Sequence, residues 1–431
     1  MNKLVLSLYS AVMWCAQPFL RLKLARRGRA ETGYLVNIEE RFGRYQQPAV
    51  QSLPKDPQFV WIHAVSLGET RAAGVLVAAL RQHLPGMTLL LTHGTATGRA
   101  EGEKLLRTGD VQVWQAWDTI AVTERFIQHF QPRMGIMMET ELWPNMAAAC
   151  ARHGVPLVIA NARMSEKTYL QTKKFDGLAR PAYQSLAAVW TQSAADADRF
   201  VELGAPVAGV FGNLKFDAVV DANQLEKGNN WRSNMRRPVV MFASSREGEE
   251  LALLQYLQKN AFTFNVQWLI VPRHPQRFEV VATLIEKQGF KVSKRSDWVA
   301  EPAVLDATDT STIWLGDSLG EMALYYGMSD VALLGGSFEP LGGQNLIEAA
   351  ACSCPVVMGP SVFNFSEAAA LAVQSGAAFA VSAMPQAVKT AYALVESDDA
   401  LGVARRAALQ FANAHQGAAE KTAAAVVKLL H

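Results

Sequence analysis

The sequence predicts an α/β fold built from two doubly wound parallel sheets that follow one another along the chain. Short apolar runs alternate with segments of helical periodicity, which is the order of strands and helices in such folds. The runs are apolar nearly throughout rather than at every second residue, so both faces of each strand should be buried. The cycle restarts after about residue 210, and 431 residues exceed what one hydrophobic core usually serves.

The predicted elements of both halves can be placed along the chain. In the first half we predict strands over 59–65, 87–93, 111–116, 134–139 and 155–161, with helices over 69–84, 98–107 and 120–130. In the second half we predict strands over 238–244, 265–272, 290–294, 311–316, 331–336 and 355–360, again with helices between them. The polar stretch 221–238, near the changeover, is interpreted as a linker or loop.

The overall composition excludes some classes of function. A net charge of +2 gives no signal for nucleic acid, so any electrostatic specialisation must be local. The four cysteines do not form a disulfide framework, which favours a reducing compartment. Cys352 and Cys354 lack a histidine partner nearby, so they are interpreted as small buried residues and no metal site is predicted.

The first thirty residues differ from the rest of the chain. An apolar stretch over 4–20 is followed by a basic cluster of Arg21, Lys23, Arg26, Arg27 and Arg29. The stretch is short for a membrane span and contains polar residues, so a spanning helix, a helix lying flat on the membrane and a buried terminal helix all remain open. In the first two cases the basic cluster places the main body at the cytoplasmic face.

Glu69 lies where the strand 59–65 passes into a helix. Ser66 and Glu69 match the S-x-x-E capping box, which gives Glu69 a purely structural interpretation. Gly68 permits a tight turn or the close approach of a ligand. The helix dipole should favour an ionised carboxylate in this first turn, so a catalytic role is the alternative.

Polar residues follow two further strands of the first half. Glu139 and Glu141 come at the end of the strand 134–139, and Asn161 and Arg163 follow the next one. Ligands bind beyond the carboxyl ends of parallel strands, so the two glutamates are candidates for contacts with sugar hydroxyls or for positioning a catalytic group. Local turn chemistry is the alternative.

The second half carries a basic cluster and a glycine-rich run. Arg273, His274 and Arg277 follow a predicted strand and suit a phosphate. The run 334–360 contains Gly336, Asn345 and Glu348, and a glycine-rich helix start with a carboxylate is typical of a nucleotide site. Ordinary turn glycines are the alternative, since the spacing matches neither the dinucleotide fingerprint nor the P-loop.

Taken together, these motifs resemble one family. "EERFGRY", "HAVSLGET", "METELWPN", "IANARMS", "GNLKFD", "VPRHPQRF", "GDSLGEM", "GGSFEPLGGQNLIEAAA" and "GPSVFNF" occur in this order over nearly the whole chain. The series is similar to that of the 3-deoxy-D-manno-octulosonic acid (Kdo) transferases of lipopolysaccharide synthesis. The resemblance implies a GT-B glycosyltransferase architecture, with two Rossmann-like domains facing a central cleft and an N-terminal membrane-associated helix.

The resemblance also implies a reaction. Kdo would pass from CMP-Kdo to the lipid A precursor lipid IVA with inversion at the anomeric carbon, with Glu69 as general base and Glu139 as a second essential residue. No cofactor or metal is implied, and the partners would be these two substrates and the anionic surface of the inner membrane, at its cytoplasmic face. The remaining substrate-binding residues would be Ser66, Gly68, Arg163, Lys215, Arg273, His274, Gly316, Asp317, Gly320, Glu321, Met322, Gly336, Asn345 and Glu348.

The expected domain boundaries follow from the same reasoning. A membrane-associated segment over 1–32 would precede an acceptor-binding domain over 33–211 and a CMP-Kdo-binding domain over 212–431. Two rival functions remain: a glycosyltransferase of the same architecture that uses another nucleotide sugar, and a peripheral membrane protein that binds lipid without turnover.

Overall fold

The computed structural model describes residues 3–47, 58–260, 265–298, 302 and 309–430. The chain forms two compact units, residues 1–218 together with 416–431, and residues 219–415. The sequence placed the boundary at 211/212 and gave the whole C-terminus to the second domain. The structure differs because the last helix packs on the first unit, and because Leu214 belongs to the core of that unit.

Among its described residues, the first unit contains eight α-helices and seven β-strands from the N-terminal part of the chain, with one helix from the C-terminal part. The helices are α1 (Lys3–Ala30), α2 (Leu67–His83), α3 (Ala96–Glu103), α4 (Ile120–Phe130), α5 (Pro144–Arg152), α6 (Glu166–Lys173), α7 (Asp176–Gln184), α8 (Ala194–Glu202) and, from the C-terminus, α17 (Ala418–Leu430). The strands are β1 (Phe59–His63), β2 (Thr88–His93), β3 (Val111–Trp114), β4 (Met134–Met138), β5 (Leu157–Ala162), β6 (Ala188–Thr191) and β7 (Val207–Val210).

The strands of the first unit form one parallel sheet in the order β3-β2-β1-β4-β5-β6-β7. Every residue of β1, β4 and β5 is buried, because helices cover both faces. The strand order reverses between β1 and β4, and this is where parallel sheets bind ligands, beyond the carboxyl ends of the two strands. Glu69 follows β1 and Glu139 follows β4, so both lie at this point.

The second unit repeats the arrangement with its own helices and strands. The helices are α9 (Ala222–Ser233), α10 (Glu249–Lys259), α11 (Phe278–Lys287), α12 (Met322–Gly327), α13 (Leu346–Ala351), α14 (Ser366–Gln374), α15 (Met384–Val395) and α16 (Asp398–Ala414). The strands are β8 (Val239–Ser245), β9 (Gln267–Pro272), β10 (Lys291–Lys294), β11 (Thr312–Leu315), β12 (Val331–Leu334), β13 (Val356–Met358) and β14 (Ala378–Ala380). They form a parallel sheet in the order β10-β11-β9-β8-β12-β13-β14, which reverses between β8 and β12.

The prediction of two parallel-sheet α/β domains is therefore confirmed. The interpretation of 221–238 as a loop is wrong, because α9 occupies most of that stretch. Asp221 caps this helix by accepting a hydrogen bond from Gln224 N at 3.1 Å, and Trp231 is buried. Only a few apolar residues mark the packed face of α9, so its sequence lacks the periodicity by which helices are predicted.

The N-terminal helix α1 belongs to the first unit. Within the described residues, no helix combines the length and apolar character that crossing a membrane would require. Leu6 and Leu24 of α1 are buried, whereas a second set of large apolar side chains is exposed. Five of them recur at intervals of three, four or seven residues, and Trp14 is exposed as well; the five are Leu4, Leu8, Val12, Phe19 and Leu22.

Candidate active site

Glu69 is held by the turn that joins β1 to α2. Ser66 is the N-cap of α2, and its hydroxyl accepts a hydrogen bond from Glu69 N at 3.4 Å. The carboxylate turns back, and its Oε2 accepts a hydrogen bond from Val65 N at 2.5 Å. Ser66 Oγ donates to Oε1 at 3.3 Å. Glu69 thus takes part in capping, but its partner is the amide before the cap residue, and the side chain remains partly exposed.

The carboxyl group of Glu69 is a stronger base than an ordinary glutamate. Burial, and next the negative charge of Glu139, raise the pKa of Glu69 to about 7, while the hydrogen bond from Val65 N opposes this. The sequence led us to expect that the helix dipole would keep the group ionised. The structure corrects this expectation, because desolvation and a like charge outweigh the stabilisation offered by the helix start.

Gly68 precedes the base in the exposed first turn of α2. A Cβ built at this position would meet no atom closer than Ser66 Oγ, at 4.0 Å. Neither packing nor a left-handed backbone therefore requires glycine here. The absence of a side chain leaves open space beside Glu69.

Glu139 occupies an unusual backbone conformation directly after β4. Its φ of 58° lies in the left-handed region, where a residue with a side chain is strained. Two backbone hydrogen bonds fix this conformation. Glu139 N donates to Ala160 O at 3.1 Å, and Arg163 N donates to Glu139 O at 3.3 Å. Strained backbone conformations that the surrounding structure enforces are common at functional sites.

Asn161, at the end of the neighbouring strand β5, has the same left-handed conformation, with φ of 53°. Its Oδ1 accepts a hydrogen bond from Leu214 N at 3.0 Å, while its buried Nδ2 has no hydrogen-bond partner. This contact brings the 213–215 stretch to the sheet edge, where Lys215 Nζ lies 3.5 Å from Glu139 Oε1. The predicted residues of the first unit, Ser66, Gly68, Glu69, Glu139, Arg163 and Lys215, therefore belong to neighbouring loops at one edge.

The glycine-rich run of the second unit is organised by a residue that sequence reasoning did not single out. The buried carboxylate of Glu249 accepts hydrogen bonds from Gly336 N at 2.8 Å, Phe338 N at 3.0 Å and Arg246 N at 2.9 Å. Gly336 itself has φ of 72°, which favours glycine. The signal for Glu249 was a glutamate in the first turn after a strand, as for Glu69.

The basic residues after β9 lie beside this run. Arg273 Nε donates to Gln344 Oε1 at 3.2 Å, and this hydrogen bond connects the basic cluster to the glycine-rich run. Burial lowers the pKa of His274, and the charge of Arg246 lowers it further. Arg277 pairs with the carboxylate of Glu250 at 3.1 Å, so its charge is already compensated by the protein.

The residues after β11 contact a different turn. Asp317 accepts hydrogen bonds from Ser296 N at 2.9 Å and Ser296 Oγ at 2.6 Å, and Glu321 pairs with Arg295 at 2.9 Å. Gly316 is required by packing, since a Cβ there would lie 2.7 Å from Val271. Gly320 has φ of 80°. Met322 begins α12.

Asn345 and Glu348 lie at the start of α13. Asn345 is its N-cap and accepts a hydrogen bond from Ile347 N at 3.2 Å, and Glu348 lies in the first turn. This helix has six residues. Among the described residues there is no cluster of three or more potential metal ligands of the His, Cys, Asp and Glu types.

Comparisons with known proteins give a consistent picture. The profile of the family described as 3-deoxy-D-manno-octulosonic-acid transferase (kdotransferase) matches residues 36–218. The 3-deoxy-D-manno-octulosonic acid transferase of Bordetella pertussis is 39% identical over 96% of this chain and 97% of its own length. The enzyme of the same name from Haemophilus influenzae is 32% identical over 89% of this chain and 88% of its own.

A solved structure agrees at the level of the fold. The crystal structure of a glycosyltransferase from Rickettsia africae superimposes with a TM-score of 0.56 and covers 87% of this chain and 99% of that one. Its sequence is 14% identical, so this likeness concerns the fold alone.

Proposed function

Because the chain belongs to the Kdo transferase family and is a glycosyltransferase of lipopolysaccharide synthesis, we propose that it transfers Kdo from CMP-Kdo to lipid IVA with Glu69 as general base. The observation that carries the proposal is the position of Glu69 at the point where the strand order of the first sheet reverses, beside Glu139. A base whose pKa lies near the working pH is suited to proton transfer.

The proposed reaction is a single displacement. The Glu69 carboxylate takes the proton of an acceptor hydroxyl, and the hydroxyl oxygen forms a bond to the anomeric carbon of Kdo. The bond from that carbon to the phosphate oxygen of CMP-Kdo breaks, and CMP leaves with the electron pair. Attack opposite the leaving group inverts the anomeric carbon.

Glu139 and Lys215 support the base in this scheme. The charge of Glu139 raises the pKa of Glu69 and so strengthens it as a base. Lys215, 3.5 Å from Glu139, offsets part of the repulsion between the two carboxylates. Asn161 Nδ2, buried and without a partner, offers a donor for a sugar hydroxyl at the same edge.

We assign CMP-Kdo to the second unit. Arg273 and His274 adjoin the glycine-rich run, whose backbone is fixed by Glu249, and the guanidinium supplies positive charge for the single phosphate. Asn345 and Glu348 lie in the same run and are assigned to the nucleotide. We keep Gly316, Asp317, Gly320, Glu321 and Met322 as weaker candidates, because the carboxylates of this segment, those of Asp317 and Glu321, contact the 295–296 turn.

We also propose that α1 attaches the protein to the cytoplasmic face of the inner membrane. Leu4, Leu8, Phe19 and Leu22 are 77%, 68%, 75% and 61% exposed, an apolar stripe that water solvates poorly. The basic residues that end the helix suit anionic headgroups. A helix lying in the plane of the interface meets both requirements.

The test is incubation of the full-length protein with CMP-Kdo and lipid IVA, with products read by mass spectrometry. We expect addition of Kdo by the wild type and a loss of about 10²- to 10⁴-fold in rate for Glu69→Gln. Glu166→Gln is the matched control, because Glu166 is also in the first turn of a serine-capped helix but is exposed. Transfer from a UDP-sugar instead of CMP-Kdo would refute the donor, and near-normal turnover by Glu69→Gln would refute the base.

A further inference from the structure

The face of α1 opposite the apolar stripe carries polar groups that a simple anchor would not need. Ser10 is 9% exposed, and its hydroxyl lies 2.8 Å from Asn145 Oδ1. Asn145 Nδ2 donates to Asp118 O at 2.7 Å, which fixes the orientation of the amide and makes Oδ1 an acceptor. The single O–H of Ser10 is shared between this Oδ1 and Leu6 O, which lies 2.7 Å away in the same helix. The neighbouring Tyr9 OH donates to Asp118 Oδ2 at 2.9 Å.

Asp118 is fully buried and joins α1 to the start of α5. Its Oδ2 also accepts from Asn145 N at 3.1 Å, and its Oδ1 accepts from Met146 N at 2.9 Å. Helix α5 begins with Pro144, which has no N–H, so Asp118 satisfies the first two free amides of the helix. The cap of α5 is therefore a side chain from another part of the chain, and two residues of α1 contact that cap.

Helix α5 begins directly after the acidic loop 139–143. Glu139 is six residues before Asn145 and is held in a left-handed conformation at the sheet edge. Glu141, whose pKa burial raises, also lies in this loop. The β4 end of the loop is fixed by the sheet, and its other end is fixed by the cap of α5.

We infer that α1 positions the acidic loop, through hydrogen bonds from Tyr9 and Ser10 to the cap formed by Asp118 and Asn145. The inference rests on the proposed role of Glu139 beside the base. Tyr9 and Ser10 are positioning residues in this scheme, since they touch neither substrate. The two faces of α1 then have separate tasks: the outer stripe contacts the membrane, and the inner face orders the loop.

The test distinguishes the roles of the two faces of α1 by presenting lipid IVA either in detergent micelles or in lipid vesicles. In detergent micelles of lipid IVA, where no bilayer is present, we expect the full-length double variant Tyr9→Phe/Ser10→Ala to lose about tenfold in kcat, with KM for CMP-Kdo unchanged. The matched control Ser7→Ala changes an exposed serine of the same helix and should retain wild-type kcat. An outer-face variant, Leu8→Ser/Phe19→Ser, should keep kcat in micelles and lose rate on vesicles of phosphatidylethanolamine and phosphatidylglycerol.

Hydrogen exchange distinguishes a local effect on the acidic loop from a general loss of stability of the first unit. We expect faster exchange in the double variant confined to amides 139–147. Unchanged kcat, or a fall in kcat with faster exchange throughout the first unit, would overturn the inference. Wild-type protein that transfers no Kdo in the same assay would instead refute the proposed function. A Glu139→Gln variant with wild-type activity and pH profile would refute the role of Glu139 on which the inference rests.

Discussion

Glu69 shows how one residue can serve structure and chemistry together. Its backbone N–H takes part in the cap of α2, while its carboxylate is held by Val65 N on the side away from the helix. Burial and the charge of Glu139 raise its pKa to about 7. A capping carboxylate on an open surface would experience neither effect, so capping and proton transfer do not compete here.

The coupling between the two glutamates predicts a change in pH dependence. Activity should rise with pH as Glu69 loses its proton, with a midpoint near its pKa of about 7. In Glu139→Gln the negative charge that raises this pKa is removed, so the midpoint of kcat/KM against pH should move to lower pH. Burial is the larger cause and remains, so the midpoint should stay above that of an ordinary glutamate.

The pH–rate profile is measured on the wild type, Glu139→Gln and the control Glu166→Gln. The control should leave the midpoint unchanged, because Glu166 is an exposed residue of another helix. A midpoint that stays in place or moves upward in Glu139→Gln would contradict the assignment of Glu69 as the titrating base.

Helices α9 and α12 of the second unit meet at a pair of glycines. A Cβ on Gly228 would lie 2.3 Å from Leu324 O, and a Cβ on Gly327 would lie 2.7 Å from Leu225 O. The two backbones therefore approach more closely than side chains would allow. This crossing explains why the polar stretch 221–238 forms a helix despite its weak apolar pattern.

The crossing predicts opposite effects for two substitutions of helical glycines. Gly228→Ala should lower the free energy of unfolding by roughly 1–3 kcal/mol, because backbone atoms of α12 must move. Gly402→Ala in α16 is the matched control: its new Cβ would meet only the flexible end of Arg406, at 3.4 Å. Helix propensity should then make Gly402→Ala neutral or stabilising by about 0.5–1 kcal/mol. Denaturant unfolding midpoints measure both, and equal midpoints for the two variants would refute the crossing.

At the scale of the whole molecule, continuous apolar runs predicted most of the strands, since only buried parallel strands tolerate them. The strands β6, β7 and β14 were missed, and β7 and β14 lack the fully buried pattern of the strands beside them. The motif residues Glu69 and Glu139 could be found from their place after strands. Asp118 could not, because the backbone amides that it caps belong to Asn145 and Met146, far along the chain. Glu249 also follows a strand, but its contacts with Gly336 N and Phe338 N could not be predicted from local pattern.

The packing of the C-terminal residues on the first unit could not be predicted from local sequence pattern either. Asp217 accepts hydrogen bonds from Gly417 N at 2.5 Å and Ala419 N at 2.6 Å, which caps the start of α17. The apolar face of α17, including the fully buried Val426, packs in one cluster with Leu76 and Leu80 of α2. The helix that begins with the Glu69 turn is thus covered by the last helix of the chain.

This packing predicts that the C-terminal helix stabilises the unit that holds the base. Val426→Ser should cost on the order of 2 kcal/mol by leaving a cavity and burying a hydroxyl against α2. Lys428→Ser changes an exposed residue of the same helix and should be neutral. Hydrogen exchange should rise in β1 and α2 of the Val426 variant and stay unchanged in β8 and β12. If exchange rose in β8 and β12 instead, α17 would belong to the second unit, as the sequence alone suggested.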